Sequence, residues 1–134
     1  MWFKGEEISS LGYDEAYNAI LSVESANLSR VFEFAKKVLC VQPHPDDTDF
    51  AAGGLIAKLT KRGCEVAYVT MTDGRIGTLD PSIYPEKLAL VRFEEQREAA
   101  EILGVKKLIW LNYRDSELKV TVEARNKLIT LIRE

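Results

Sequence analysis

The stretch Val38-Leu39-Cys40-Val41-Gln42-Pro43-His44-Pro45-Asp46-Asp47-Thr48-Asp49-Phe50-Ala51-Ala52-Gly53-Gly54 decides the fold. It opens on an apolar run with the length and composition of a buried strand. Between Pro43 and Asp49 follow two prolines, the chain's single histidine and three aspartates, and then small residues at helical spacing. The prolines end extended pairing and bias the backbone into a turn. The stretch therefore reads as strand, polar turn and helix. In an open α/β sheet, ligands bind in the crevice beyond the carboxyl ends of the strands, so this turn is the first candidate site.

Two further units follow on the C-terminal side. Residues 64–72 form a nearly continuous β-branched and aromatic run, as in a parallel strand buried on both faces, and end in Thr72-Asp73-Gly74-Arg75-Ile76-Gly77-Thr78. Residues 107–111 are a third strand, ending in Asn112-Tyr113-Arg114-Asp115-Ser116-Glu117. Helices are predicted over 47–61, with Phe50, Leu55, Ile56 and Leu59 inward and Gly63 as its stop, and over 86–103, with Leu88, Val91, Ala99, Ile102 and Leu103 inward and Gly104 as its stop. A last helix is predicted over 120–134, with Val122, Leu128, Ile129 and Leu131 apolar, and Asp80-Pro81 and Tyr84-Pro85 mark 79–85 as a surface loop. Gly53 and Gly54 each weaken their helix by about 1 kcal/mol relative to alanine, which points to close helix-on-strand packing there or, less favoured, to backbone approach to a ligand. Arg92 is expected to pair within its own helix, with Glu95 or Glu98.

On the N-terminal side, residues 1–10 read as a lead-in and 11–33 as an amphipathic helix that covers a sheet face or a subunit contact. Residues 36–134 are then three strand–helix units. Such alternation predicts right-handed crossovers and a Rossmann-like three-layer α/β/α domain with a mainly parallel sheet. A final helix with no strand after it leaves one sheet edge without its neighbour, so residues 1–134 are expected to be the N-terminal part of a single longer domain.

Composition removes several classes of function. Of 134 residues, 46% are hydrophobic and 29% charged, ordinary usage for a globular domain, which disfavours disordered and coiled-coil chains. A net charge of −3 without a basic stripe argues against nucleic acid as a partner. No apolar run approaches the roughly 18 residues of a membrane span, and the start lacks a basic region followed by an apolar one. Cys40 and Cys64 lie in apolar strand contexts without CxxC spacing and are expected to be buried and reduced, as in the cytoplasm.

The turn admits three chemistries. With the helix starting near Pro45 to Asp47, His44 and Asp47 stand three apart on one side of the first turn, and Asp46 is rotated away. An imidazole and a carboxylate are a partial ligand set for Zn²⁺, and Asp46 is then free to take a proton from a metal-bound water. Alternatively, His44 is a hydrogen-bonded turn residue and Asp46 or Asp47 is only the helix cap. Anion binding at the helix start is the third reading, though neither GxGxxG nor GxxxxGK[ST] is present.

These residues resemble the LmbE-like, or PIG-L, family of zinc-dependent N-acetylglucosamine de-N-acetylases, whose mark is an [A/P]-H-P-D-D-E motif after the first strand. The match is Pro43-His44-Pro45-Asp46-Asp47, followed by the glycine pair, Thr72-Asp73-Gly74, Arg92 with its Glu-rich helix, Leu103-Gly104-Val105 and Asp115. Within the family, Lys106 to Leu118 is most similar to the archaeal branch that acts on diacetylchitobiose. The resemblance implies His44 and Asp47 as zinc ligands, Asp46 as general base, and Arg92 and Asp115 as substrate-binding residues. It implies hydrolysis of the N-acetyl group from N-acetylglucosamine units of a small chitin-derived oligosaccharide, by a homo-oligomeric cytoplasmic enzyme. Thr48 stands where the family motif has glutamate. The family's third ligand, a histidine in an H-x-D-H-like motif, is expected beyond Glu134, because His44 is the chain's only histidine. Asp73 or Asp115 would have to complete the shell otherwise. The alternative is a sugar-binding or assembly module that performs no catalysis by itself.

Overall fold

The computed structural model describes Phe32 and residues 34–134. The helix predicted over 11–33 falls, apart from Phe32, outside those residues. Within the unit from Lys36 to Glu134 the order is β1 (Lys37–Gln42), α1 (Asp47–Lys61), β2 (Glu65–Thr72), α2 (Pro85–Ile102), β3 (Lys107–Tyr113) and α3 (Val122–Arg133).

The three strands form one parallel sheet in the order β1-β2-β3, with Val38 opposite Val66 and Tyr68 opposite Leu108. Two crossovers of one hand, stepping the same way along a sheet, put their helices on the same face. The contacts agree. Gln42, Tyr68 and Trp110 share a face by register, and they meet Gln96 of α2, Asp49 of α1 and Phe93 of α2 respectively. Helix α3 takes the opposite face, where Leu131 and Ile132 line a cavity with Leu39, Ala67 and Ile109. The three layers are those predicted.

Central β2 carries the core. Val66, Tyr68, Val69 and Thr70 are fully buried, and on the helix side Ile56, Leu59, Leu88 and Ala100 are buried with them. Several inward faces differ from those predicted. In α1, Phe50 is 97% exposed because it lies more than 90° around the helix from the buried line through Ile56 and Leu59, and Leu55, at the edge of that line, is exposed as well. In α2 the inward residues follow i+4 spacing, Leu88, Arg92, Gln96 and Ala100, so Val91 and Ile102 are exposed and two polar side chains take their place. In α3, Ala124 is the buried residue, and Val122 and Ile129 are exposed. An alanine Cβ at Gly53 or Gly54 would meet nothing within 4 Å, so close packing does not explain the pair. Gly63 and Gly104 do end their helices as predicted, at φ +83° and +75°. Both cysteines are free thiols, Cys64 buried and Cys40 half-buried. The Cys40 thiol is pushed up from its ordinary pKa, by burial first and then by the negative charge of Asp49.

Strand β3 runs two residues further than predicted. Its register against β2 shifts between Thr70 and Thr72, and Asn112 takes φ +56°, a conformation asparagine tolerates better than most residues. No helix among the described residues is long and apolar enough to cross a membrane.

Candidate active site

The loops that follow β1, β2 and β3 meet at the carboxyl end of the sheet. The Pro43 carbonyl accepts from the Thr72 backbone N–H (2.9 Å) and from its hydroxyl (2.8 Å), and the Asp73 N–H reaches the Tyr113 carbonyl (3.0 Å). These bonds hold three polar segments side by side. Gly74 packs against buried Pro45 at φ +64°, where a Cβ would lie 3.1 Å from the Pro45 ring. Only glycine fits both the backbone and the space.

Helix α1 starts at Asp47, with Asp46 as its N-cap residue at φ 94°, ψ −25°. A left-handed non-glycine residue costs of order 1–3 kcal/mol and persists only where its surroundings fix it. The Asp46 side chain makes no capping hydrogen bond. The helix's Thr48 N–H is taken by Gln42 Oε1 (2.9 Å) and the Asp46 N–H by Gln96 Oε1 (2.8 Å). Asp47 is no cap either, since its Oδ2 accepts from the His44 backbone N–H (2.8 Å). The reading of these aspartates as mere caps is thereby set aside.

His44 stands between two carboxylates. Its Nδ1 lies 3.4 Å from Asp47 Oδ2 and its Nε2 lies 3.1 Å from Asp115 Oδ1. With the ring proton on Nε2 and donated to Asp115, Nδ1 turns a lone pair toward a carboxylate oxygen, an arrangement that a cation between them stabilises. Zn²⁺ bonds of about 2.0–2.1 Å put neighbouring tetrahedral donors about 3.3–3.4 Å apart, so the observed separation fits a shared ion. Asp115 faces the other ring nitrogen and does not join Asp47 at that ion. Asp73 is occupied elsewhere. Among the described residues no group of three His, Cys, Asp or Glu side chains is arranged to hold a metal.

Asp73, 1% exposed, is the anchor of the β2 and β3 loops. It accepts from Arg75 Nε (2.7 Å) and from the N–H groups of Arg75 and Asp115 (both 3.2 Å). Burial acts to raise its carboxyl, but the Arg75 guanidinium and the two amides outweigh it and hold the pKa below the ordinary value. Asp115 is therefore fixed through its backbone by Asp73, which leaves its carboxylate for the cleft. Arg92 donates through Nη2 to Asp46 Oδ2 and to the Pro45 carbonyl (2.8 Å), and through Nη1 to Glu95 (3.0 Å). The expected intrahelical pair exists, with Glu95 and not Glu98, but it is only part of what Arg92 does; Glu98 lies beside Arg97. His44, Pro45, Asp46, Gly74, Gly77, Arg92 and Asp115 line a cleft of about 340 Å³.

Sequence reasoning missed Gln42, Gln96 and Arg75. Gln42 closes an otherwise apolar strand, and Gln96 lies four residues after Arg92 and eight after Leu88 on the inward line. That spacing was the available signal.

A parallel sheet with an imidazole, several carboxylates and a guanidinium at its carboxyl end defines an α/β protein with a polar cleft at the ends of its strands. The chain belongs to the PIG-L family, GlcNAc-PI de-N-acetylase, whose model matches residues 39–134. It is 46% identical over 122 residues to the diacetylchitobiose deacetylase of Thermococcus kodakarensis, covering 91% of this chain and 46% of that protein. The N,N'-diacetylchitobiose deacetylase of Pyrococcus horikoshii, solved with an inhibitor, superposes with a TM-score of 0.76 at 46% identity, covering 92% of this chain and 46% of the other. The 4-carboxy-2-hydroxymuconate hydratase GalB of Pseudomonas putida superposes with a TM-score of 0.67 at 26% identity, over 73% and 42% of the two chains. The chain thus spans about half the length of the deacetylases it matches.

Proposed function

We propose that this chain is the N-terminal part of a zinc-dependent carbohydrate N-deacetylase that removes the acetyl group from N-acetylglucosamine units of a short chitin-derived oligosaccharide such as diacetylchitobiose. The observation that carries the reading is the Pro43-to-Asp47 turn, with its imidazole and carboxylate at tetrahedral spacing and a second carboxylate, Asp46, on the cleft wall.

His44 and Asp47 would hold zinc, with a histidine beyond Glu134 as the third ligand. When bound, the ion supplies Lewis acidity that polarises the acetamide carbonyl and makes water a competent nucleophile near neutral pH. Asp46 takes a proton from the attacking water and returns it to the departing amine nitrogen. Arg92 orients Asp46 through their ion pair, and the positive end of α1 favours negative charge developing beside it. Asp115 orients the His44 ring through Nε2 and, with Arg92, offers acceptor and donor atoms to sugar hydroxyls. A small amino-sugar as the partner, with neither nucleic acid nor membrane, and a cytoplasmic homo-oligomer belong to the same reading.

The test is acetate release from N-acetylglucosamine oligosaccharides by the full-length protein, before and after chelation. Chelator-sensitive release is expected, and release unchanged by chelation would remove zinc from the mechanism. The two-donor set among the described residues favours a second reading, a sugar-binding module without catalysis of its own. That reading requires calorimetric sugar binding with no acetate released.

A further inference from the structure

Helix α1 begins in a way that separates its backbone needs from its side-chain chemistry. An aspartate at the N-cap ordinarily spends its carboxylate on the N–H groups of the first turn. Asp46 does not: Gln42 takes the first-turn N–H of Thr48 in its place, and Gln96 accepts from the N–H of Asp46 itself. Gln42, at the end of β1, accepts from the Thr48 N–H and donates through Nε2 to Thr70 Oγ1 and Gln96 Oε1 (both 2.8 Å). Gln96, on α2, accepts from both Gln42 Nε2 and the Asp46 N–H, and its own Nε2 donates to Asp49 Oδ2 (2.7 Å). Asp49 is held in turn by the Tyr68 hydroxyl (2.9 Å).

This network fixes each amide's orientation. A flipped Gln96 would set its NH₂ against two donors and its oxygen against the Asp49 carboxylate, so only one arrangement satisfies every partner. Gln42 and Gln96 are 1% and 2% exposed, and among the described residues no buried polar side-chain atom lacks a partner. Water cannot substitute for the Gln96 oxygen without opening the core. That oxygen is the acceptor for the one residue in the turn whose backbone is left-handed.

We propose that Gln96, supported by Gln42 and Asp49, is a positioning residue for Asp46: it holds the Asp46 backbone left-handed, so that the carboxylate, which Gln42 relieves of capping by taking the Thr48 N–H, faces the cleft. The role rests on the reading of Asp46 as general base. Losing the acceptor lets the Asp46 peptide rotate and displaces the carboxylate, and displacements near 1 Å in such groups cost on the order of 100-fold in rate.

The experiment uses the full-length protein and diacetylchitobiose. Gln96→Leu fills the buried slot with an apolar side chain one atom shorter and removes the acceptor. Its kcat is expected to fall roughly 10- to 100-fold, with KM and zinc per chain unchanged. Gln96→Glu retains the acceptor but opposes the Asp49 carboxylate, and its kcat should also fall. Adding Asp49→Asn should restore kcat to within about threefold of wild type. The introduced asparagine donates to the introduced glutamate and still accepts from Tyr68, so the bonds are rewired and the Asp46 acceptor is kept. The double variant also serves where Gln96→Leu fails to fold. Wild-type kcat in Gln96→Leu, loss of rate only in proportion to lost zinc or folded protein, or a double variant no faster than Gln96→Glu would each overturn the proposal. Asp46→Asn, assayed alongside, separates the two ideas. If it keeps its rate the base reading fails, whereas if it alone loses rate and Gln96→Leu does not, only the positioning role fails.

Discussion

Arg92, on the helix after β2, donates to the Asp46 carboxylate and the Pro45 carbonyl of the turn after β1, so one guanidinium ties two strand–helix units together at the mouth of the cleft. The arrangement depends on the planar fork of arginine, which reaches both acceptors and Glu95 at once. Lysine offers a single ammonium and cannot span them. Arg92→Lys is therefore expected to lower acetate release about tenfold or more while changing the melting temperature little, since the pairs are partly solvated. Equal rates for Arg92→Lys and wild type would show that the fork is not needed.

Asp46 and Asp47 are adjacent in sequence yet placed for different tasks, one turned to Arg92 and the other to His44. Asp46→Asn is expected to retain zinc and lose rate by about 10²- to 10⁴-fold. Asp47→Ala is expected to lose zinc. Metal analysis by mass spectrometry beside an acetate assay reads both, and equal zinc content and equal rates in the two variants would reverse the assignment.

The buried Asp73 gives a pH dependence with a defined sign. Its folded pKa lies below the ordinary carboxylate value near 3.9, so its ionised form stabilises the fold above that value. The contribution is lost as pH falls through the folded pKa. Asp73→Asn takes away the buried partner of Arg75 and leaves it only the exposed Glu86, and should cost about 2–4 kcal/mol at pH 7. The gap between the two proteins in denaturant titrations should narrow below about pH 4. A gap that is constant from pH 7 to pH 3 would mean that the Asp73 charge adds nothing.

Much of this was legible in the sequence because apolar runs and chain punctuation record the fold directly. The β-branched run of β2 and the stops at Gly63 and Gly104 gave strands and helix ends, and Pro43 with Pro45 marked the turn that holds His44, Asp46 and Asp47. What was not legible is polarity turned inward. A helix's buried stripe is normally read from apolar residues, but Arg92 and Gln96 occupy that stripe in α2 because the cleft and the amide network lie beneath it. Phe50 misled for the converse reason, as a large apolar side chain lying off the buried line. The bulge at Asn112 depends on the register between two strands, which the local sequence does not encode.

Two glycines sharpen the contrast between required and tolerated. Gly74→Ala forces a Cβ to 3.1 Å from the Pro45 ring at a left-handed φ, and that ring forms the floor of the turn carrying His44 and Asp46. It should destabilise by about 1–3 kcal/mol and reduce acetate release by more than the loss of folded protein accounts for. Gly54→Ala places a Cβ in open space on an exposed turn of α1, with helical φ and no neighbour within 4 Å. It should stabilise by about 0.5–1 kcal/mol and leave the rate unchanged. Thermal melts and acetate assays on both variants check the pair. A destabilising Gly54→Ala in the full-length protein would mean that another part of that protein packs against α1 at this position.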